Sequence, residues 1–149
     1  MKALVQRVSK GSVTISGEPK AEIGRGYVVL VGVREGDTEA DAKFLAEKTA
    51  NLRIFPDEND KMNRSIREID GGAVLAISQF TLYADTRKGN RPSFVKAAPP
   101  DVAEKLYETY VAVLRELLGP DRVKTGVFRA MMSVEIVNDG PVTIELTSD

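Results

Sequence analysis

The apolar and polar positions of this chain change period several times, and each change marks an element. From Ala3 to Ile15, short stretches rich in Val, Ser and Thr read as two strands broken at Lys10-Gly11 in the manner of a hairpin. Gly17 and Pro19 then mark a turn. Tyr27 to Val33 is a continuous apolar, β-branched run too short for a typical helix, which predicts a central strand covered on both faces. After Asp37 the period lengthens. Ala42, Leu45, Ala46 and Thr49 recur at spacings of three and four, so a helix capped by Asp37 or Thr38 is expected to end near Asn51. Leu52 to Phe55 returns to strand chemistry before Pro56.

Gly71-Gly72 opens a second apolar run, Ala73 to Ile77, which passes into Ser78-Gln79-Phe80-Thr81-Leu82-Tyr83 and reads as a buried strand whose end turns polar. The longest helix is expected from Pro100 or Asp101 to about Leu118, with Val102, Leu106, Tyr110, Val113 and Leu117 as its apolar stripe and Gly119-Pro120 as its stop. Val123 to Phe128, Met131 to Val137 and Val142 to Leu146 complete the strands. The last two flank a turn signal, Asn138-Asp139-Gly140-Pro141, as in a hairpin. No repeat or low-complexity linker divides the chain. The reading is therefore one α+β domain over residues 1–149, a largely antiparallel, barrel-like β-sheet with about two packed helices.

Composition narrows the chemistry more than the fold. In 149 residues there is no His and no Cys. Thiol nucleophiles, disulfides, Cys/His zinc sites and any side chain with an unperturbed pKa near neutrality are thereby excluded. Catalysis must use hydroxyls, carboxylates, Lys, backbone groups or the substrate itself. The 21 Lys and Arg against 22 Asp and Glu leave a net charge of −1, so contact with a nucleic acid needs a local basic patch rather than a whole-molecule field. Met1 to Val8 is followed by no apolar leader segment, and no apolar run approaches the roughly 20 residues that span a bilayer. A soluble cytoplasmic protein without membrane contact is expected. Asp57 to Lys61 alternates oxygen ligands, but counting from Asp57 puts Met62 at the sixth position, where a calcium loop of the EF-hand type needs Gly, so a charged turn and no metal site are expected.

Three segments carry candidate chemistry. Ser78-Gln79-Phe80-Thr81 places polar groups where a buried strand surfaces; alternation would put Ser78 and Phe80 on one side and Gln79 and Thr81 on the other. The same residues can simply finish an amphipathic strand, and a Thr hydroxyl is a poor nucleophile without a neighbouring base. Asp139-Gly140-Pro141-Val142-Thr143 reads equally as an ordinary loop. Arg87 to Lys96 holds four cations and Phe94 within ten residues, which suits phosphates and a stacked base but also suits a solvated basic loop.

Ser78 to Ala84 together with Asn138 to Thr143 resembles the paired signature of the D-aminoacyl-tRNA deacylases, also called the D-tyrosyl-tRNA deacylase family. Val5-Gln6-Arg7-Val8, Leu52 to Phe55, Lys61-Met62-Asn63 and Lys88 to Phe94 extend the similarity over the chain. The resemblance implies hydrolysis of the ester of D-aminoacyl-tRNA, and of glycyl-mischarged tRNA, in the chiral proofreading of translation, with no cofactor. It further implies a homodimer with both active sites at the interface, for which the apolar face around Val134, Ile136 and Val142 is the expected contact. The Gly140-Pro141 loop, its peptide bond cis, enters the partner's pocket beside Ser78, Gln79, Phe80 and Thr81. There its carbonyls hold the substrate amino group and exclude an L side chain. Arg7 braces that loop, Met132 lines the pocket or belongs to the core, and Phe80 lies near the terminal adenine. On this resemblance Arg87, Lys88 and Arg91 are expected to face the acceptor end of the tRNA. Because an aminoacyl ester is already activated and the chain has no His, amides around Phe80 and Thr81 are expected to stabilise the oxyanion while the ribose 2′-hydroxyl assists water; a Thr81 nucleophile is the lesser alternative. Arg129 departs from the family, which usually has a small residue there, commonly Gly. A non-catalytic RNA-binding dimer that keeps the pocket is the alternative reading, and a structural dimer without a ligand a third.

Overall fold

A computed structural model describes all residues, 1–149. Its organising element is β1 (Lys2–Ile15). One edge of β1 pairs antiparallel with β8 (Ser133–Thr147) along nearly its whole length. The other edge is shared: Lys2 to Val8 pair with β3 (Gly26–Gly32), and Gly11 to Ile15 with β2 (Glu18–Ile23). Beyond β3 the sheet continues in parallel through β6 (Ala73–Ser78) to β7 (Val123–Thr125). Two short strands, β4 (Phe55–Pro56) and β5 (Met62–Arg64), form a separate pair.

The expected break at Lys10-Gly11 is absent, and β1 is one strand. Gly11 is there for close packing: a Cβ on it would stand 2.6 Å from Cγ2 of the buried Val28. The expected hairpin around Asn138 to Pro141 is likewise one strand, because both halves of β8 pair with β1 and not with each other. Leu52 to Ile54 lie outside any strand; side chains take their carbonyls instead, Tyr27 Oη donating to Leu52 O and Arg7 Nη1 to Ile54 O. Strand β7 stops at Thr125, and a turn closed by the Ala130 amide on Val127 O replaces the strand expected to Phe128. The Asp57 to Lys61 turn is held by the Asp57 carboxylate, which accepts from the Asn59 and Lys61 amides.

Two helices cover one face of the sheet, and with the curled sheet they make the expected single α+β, barrel-like domain. In α1 (Glu39–Asn51) the Asp41 carboxylate accepts the Thr38 amide at 2.7 Å and closes the first turn. Ala42, Leu45, Ala46 and Ala50 face inward. In α2 (Pro100–Leu118) the buried stripe is Ala103, Leu106, Tyr107, Tyr110, Val111, Leu114 and Leu118, turned from the predicted one so that Val102 is 39% exposed. The two tyrosines set that rotation, since Tyr107 Oη donates to Ala76 O and Tyr110 Oη bonds Thr49 Oγ1. Burial also pushes both phenols well above their ordinary pKa. Behind the sheet a second, smaller core gathers Val8, Val13, Ile23, Val28, Leu75 and Ile77 from four strands, with Met132, Val134 and Ile136 closing it. This convergence of inward side chains makes the sheet barrel-like. No helix is long and apolar enough to cross a membrane.

If Gly11 is a packing glycine, Gly11→Ala lowers stability by about 1–3 kcal/mol through overpacking against Val28. Lys10→Ala, at an exposed position, changes it by less than about 0.5 kcal/mol. Urea denaturation midpoints check both.

Candidate active site at the carboxyl ends of the parallel strands

The parallel strands β3, β6 and β7 end side by side at Gly32, Ser78 and Thr125, the place where parallel sheets open a crevice. The chain does not leave β6 as an extended strand. Gln79 donates the last ladder bond to Val31 O at 2.8 Å, and Phe80 to Tyr83 then form one 3₁₀ turn. The predicted alternation of Ser78 and Phe80 against Gln79 and Thr81 therefore does not hold. The turn packs Leu82 back over the end of β3 at Gly32.

A turn of this kind leaves its first amides without partners. Leu82 and Ala84 donate to Gln79 O and Thr81 O, whereas the amides of Phe80 and Thr81 meet no acceptor in the chain. Two adjacent N–H donors thus stand free at the strand end. The Gln79 side-chain amide donates to the Thr81 hydroxyl, so that oxygen is already an acceptor, and no carboxylate or amine is bonded to it. Phe80 is 54% exposed and meets Phe94 edge to face, centroids 5.1 Å apart.

The basic segment is a closed loop. Asp85 and Ser93 exchange backbone hydrogen bonds of 2.7 and 2.9 Å. Within it the Arg87 guanidinium donates to the Asp85 carboxylate at 2.7 to 3.2 Å, and Lys96 Nζ lies 3.8 Å away. Hydrogen bonds from Arg87 hold the Asp85 carboxyl far below the usual carboxylate range. Lys88 and Arg91 make no ion pair, so of the three cations expected to meet nucleic acid only these two are uncommitted.

The second motif lies elsewhere on the sheet. Gln6 pairs with Thr143 and Val8 with Asn138, so the four residues Asp139 to Val142 bulge opposite Arg7 alone. The Gly140-Pro141 bond in this bulge is cis, and Gly140 has φ +127°. Arg7, its side chain 12% exposed, ties the bulge down: Nε donates to Asp139 O at 3.1 Å, Nη1 to Ile54 O, and the Asp139 carboxylate is 3.5 Å away. Through β3, Arg7 is level with Val74. Ser78 is four residues beyond Val74, about 13 Å along β6, and β6 is itself three strand spacings from the bulge on β8. One chain therefore does not bring Gly140-Pro141 to Ser78–Thr81.

Arg129 sits at φ +67°, in the left-handed region that a glycine would adopt without strain. Met132 packs on Gly126 and against the second core. Val134 and Ile136 face that same core while Val142 faces the helices, so the three do not form the single apolar face expected from sequence. Residues the sequence reading passed over are Asp85, which organises the basic loop, and Ile54, whose carbonyl anchors Arg7. The Asp85-Thr86-Arg87 spacing was a signal for the first; nothing local signals the second. No group of three or more Asp or Glu side chains is placed to hold a metal ion.

The sequence matches the family described as D-Tyr-tRNA(Tyr) deacylase over residues 4–147. It is 58% identical over 148 residues to the D-aminoacyl-tRNA deacylase of Koribacter versatilis (strain Ellin345), covering 99% of this chain and 97% of that protein. It is also 58% identical over 144 residues to the D-aminoacyl-tRNA deacylase of Heliobacterium modesticaldum (strain ATCC 51547 / Ice1), covering 97% and 94%. Among solved structures, the c-Myc DNA Unwinding Element Binding Protein superposes with a TM-score of 0.94 at 44% identity, over 100% of this chain and 99% of that one. A probable eukaryotic D-amino acid tRNA deacylase shares the fold at 17% identity, with a TM-score of 0.82 over 97% of each chain.

Arg7→Lys keeps the charge but loses the fork that reaches both Asp139 O and Ile54 O. The expected result is a loss of about 1–3 kcal/mol for the carbonyl left unpaired. Amide exchange is expected to accelerate at Val142, in the bulge, and not in α2, which hydrogen-exchange mass spectrometry checks.

Proposed function

The chain belongs to the D-Tyr-tRNA(Tyr) deacylase family and is a hydrolase of that class, and on that premise we propose how it selects and cleaves its substrate. Water attacks the carbonyl carbon of the ester that joins a D-amino acid, or glycine, to the terminal ribose of tRNA. The bond from that carbon to the ribose oxygen breaks, the water proton passes to the leaving ribose hydroxyl, and free amino acid and tRNA result. The observation that carries this reading is the pair of unpartnered amides at Phe80 and Thr81. They are donors fixed in advance at an exposed strand end, as stabilisation of a developing oxyanion requires. An aminoacyl ester is already activated, so positioning and oxyanion binding account for most of the help it needs. The ribose 2′-hydroxyl beside the ester orients the water, a task for which this chain has no imidazole.

Selection between mirror images needs a rigid wall on one side of the α-carbon. The Gly140-Pro141 bulge, clamped by Arg7, is such a wall, and its carbonyls suit a substrate ammonium group. Because it is far from Ser78–Thr81 in its own chain, it acts in a second copy. The working form is a homodimer with two shared sites, in which Phe80 contacts the terminal adenine and Lys88 and Arg91 meet the phosphates of the acceptor end. A cytoplasmic place beside the translation machinery fits this substrate.

The direct test is deacylation of D-Tyr-tRNA and L-Tyr-tRNA by the purified protein. Cleavage of the D form with the L form spared is expected; retention of tRNA without turnover would instead favour the RNA-binding dimer. In Gly140→Ala the new Cβ would lie 2.9 Å from Val142 N and 3.2 Å from Arg7 Nη2, at a φ that side chains avoid. Its turnover of D-Tyr-tRNA is expected to fall ten-fold or more, an effect measured at saturating substrate.

Thr81→Ala removes the hydroxyl and keeps the amide. It is expected to retain turnover within about ten-fold, since the loss of a true nucleophile costs far more than this. A 3′-aminoacyl substrate whose ribose lacks the 2′-hydroxyl is expected to be the poorer change, by single-turnover kinetics.

A further inference from the structure

Beside the free amides stand two exposed aromatic rings on different segments. Phe80 belongs to the catalytic turn. Phe94, 38% exposed, belongs to the basic loop and is carried there by the Asp85–Ser93 bridge on one side and by two backbone bonds on the other, Ala97 to Phe94 O and Glu35 to Lys96 O. The rings cross at 72°. Each ring covers part of the other, yet both keep much of their apolar surface in water, where burying it further would stabilise the fold. Rings at this angle present their π-faces in different directions. They therefore cannot serve two bases that stay stacked on each other, but they can serve two bases that are splayed apart, the usual form of single-stranded RNA recognition.

The charges nearby match that occupant. Arg87 and Lys96 are drawn to Asp85, which builds the loop, while Lys88 and Arg91 project without carboxylate partners from the segment that carries Phe94. Cations alternating with an aromatic platform form the standard surface for a single strand. Resting on the reading above, we infer that Phe94 is a further substrate-positioning residue: its open face stacks the base of the nucleotide that precedes the terminal adenosine. Phe80 takes the adenine and Phe94 the base before it. The strand is kinked between them, and the kink turns the terminal ester toward the amides of Phe80 and Thr81. Phe94 touches no reacting atom, so its contribution appears in KM for substrates that include the second nucleotide.

The test compares three D-tyrosyl esters: on adenosine alone, on the dinucleotide cytidylyl-adenosine, and on whole tRNA. Phe94→Ala is expected to raise KM about ten-fold on the dinucleotide and on tRNA, within the range for losing one stacked base. On the adenosine ester KM and kcat are expected to stay within two-fold of the unaltered protein. Phe94→Tyr, which keeps the ring, is expected to match the unaltered protein on the dinucleotide and on tRNA, and Phe94→Leu, which keeps bulk without a π-face, to show the same loss as Phe94→Ala. An equal loss on the adenosine ester would show that Phe94 acts only by propping Phe80. A loss confined to whole tRNA would move the contact to the acceptor stem, and no loss on any ester would remove the platform; each of these overturns the inference. If the unaltered protein cleaves none of the three, the hydrolase reading itself fails, an outcome distinct from all of these.

Discussion

Strand β1 has more than one partner on a single edge, and that constraint shapes the molecule. Because β3 takes its first half and β2 its second, the sheet must bend where they change over, at Val8 to Gly11. The bend closes the small second core behind the sheet and leaves the helices to cover the other face. It also falls where the register with β8 shifts and the Gly140-Pro141 bulge is pushed out. Fold and bulge thus share one cause: the strand that curls the sheet is also the strand whose Arg7 holds the bulge.

The helices were legible because their signals are local. Thr38, the three-and-four spacing of Ala42, Leu45, Ala46 and Thr49, and the Gly119-Pro120 stop each act within a turn or two of the chain. The strands were legible as apolar stretches but not as partners. Gly11 and Gly140-Pro141 read as turn residues, yet each lies inside a long strand, because close approach to Val28 and pairing of both β8 halves with β1 are contacts across the sheet that local spacing does not reveal. The same holds for the end of β6. Ser78 to Thr81 continues the apolar period until Leu82 finds the end of β3, and only that contact folds the segment into a turn.

The candidate site was legible as two motifs, and its chemistry was bounded by the missing His and Cys. What sequence does not carry is which amides lack partners. That is a property of the 3₁₀ turn, and it converts a polar strand end into a pair of oriented donors. A chain without imidazole is left with dipoles fixed by its backbone, and such dipoles do not titrate. The phenols of Tyr27, Tyr83, Tyr107 and Tyr110 are all shifted upward by burial, so they too stay neutral across the physiological range. The electrostatic environment of the site is consequently set by folding and hardly changes with pH near neutrality.

The bulge in β8 has a consequence for solubility. A 15-residue strand paired on only one side presents a row of unsatisfied backbone groups, the kind of template on which chains add to one another in aggregates. The bulge divides this row into two shorter lengths whose registers on β1 differ by two residues, and Pro141 offers no N–H where they meet. Glu135 and Glu145 place a carboxylate on each length. A misregistered chain arriving at this edge can follow neither length past the interruption, so the bulge that Arg7 holds in place also keeps the protein from polymerising through its longest exposed strand.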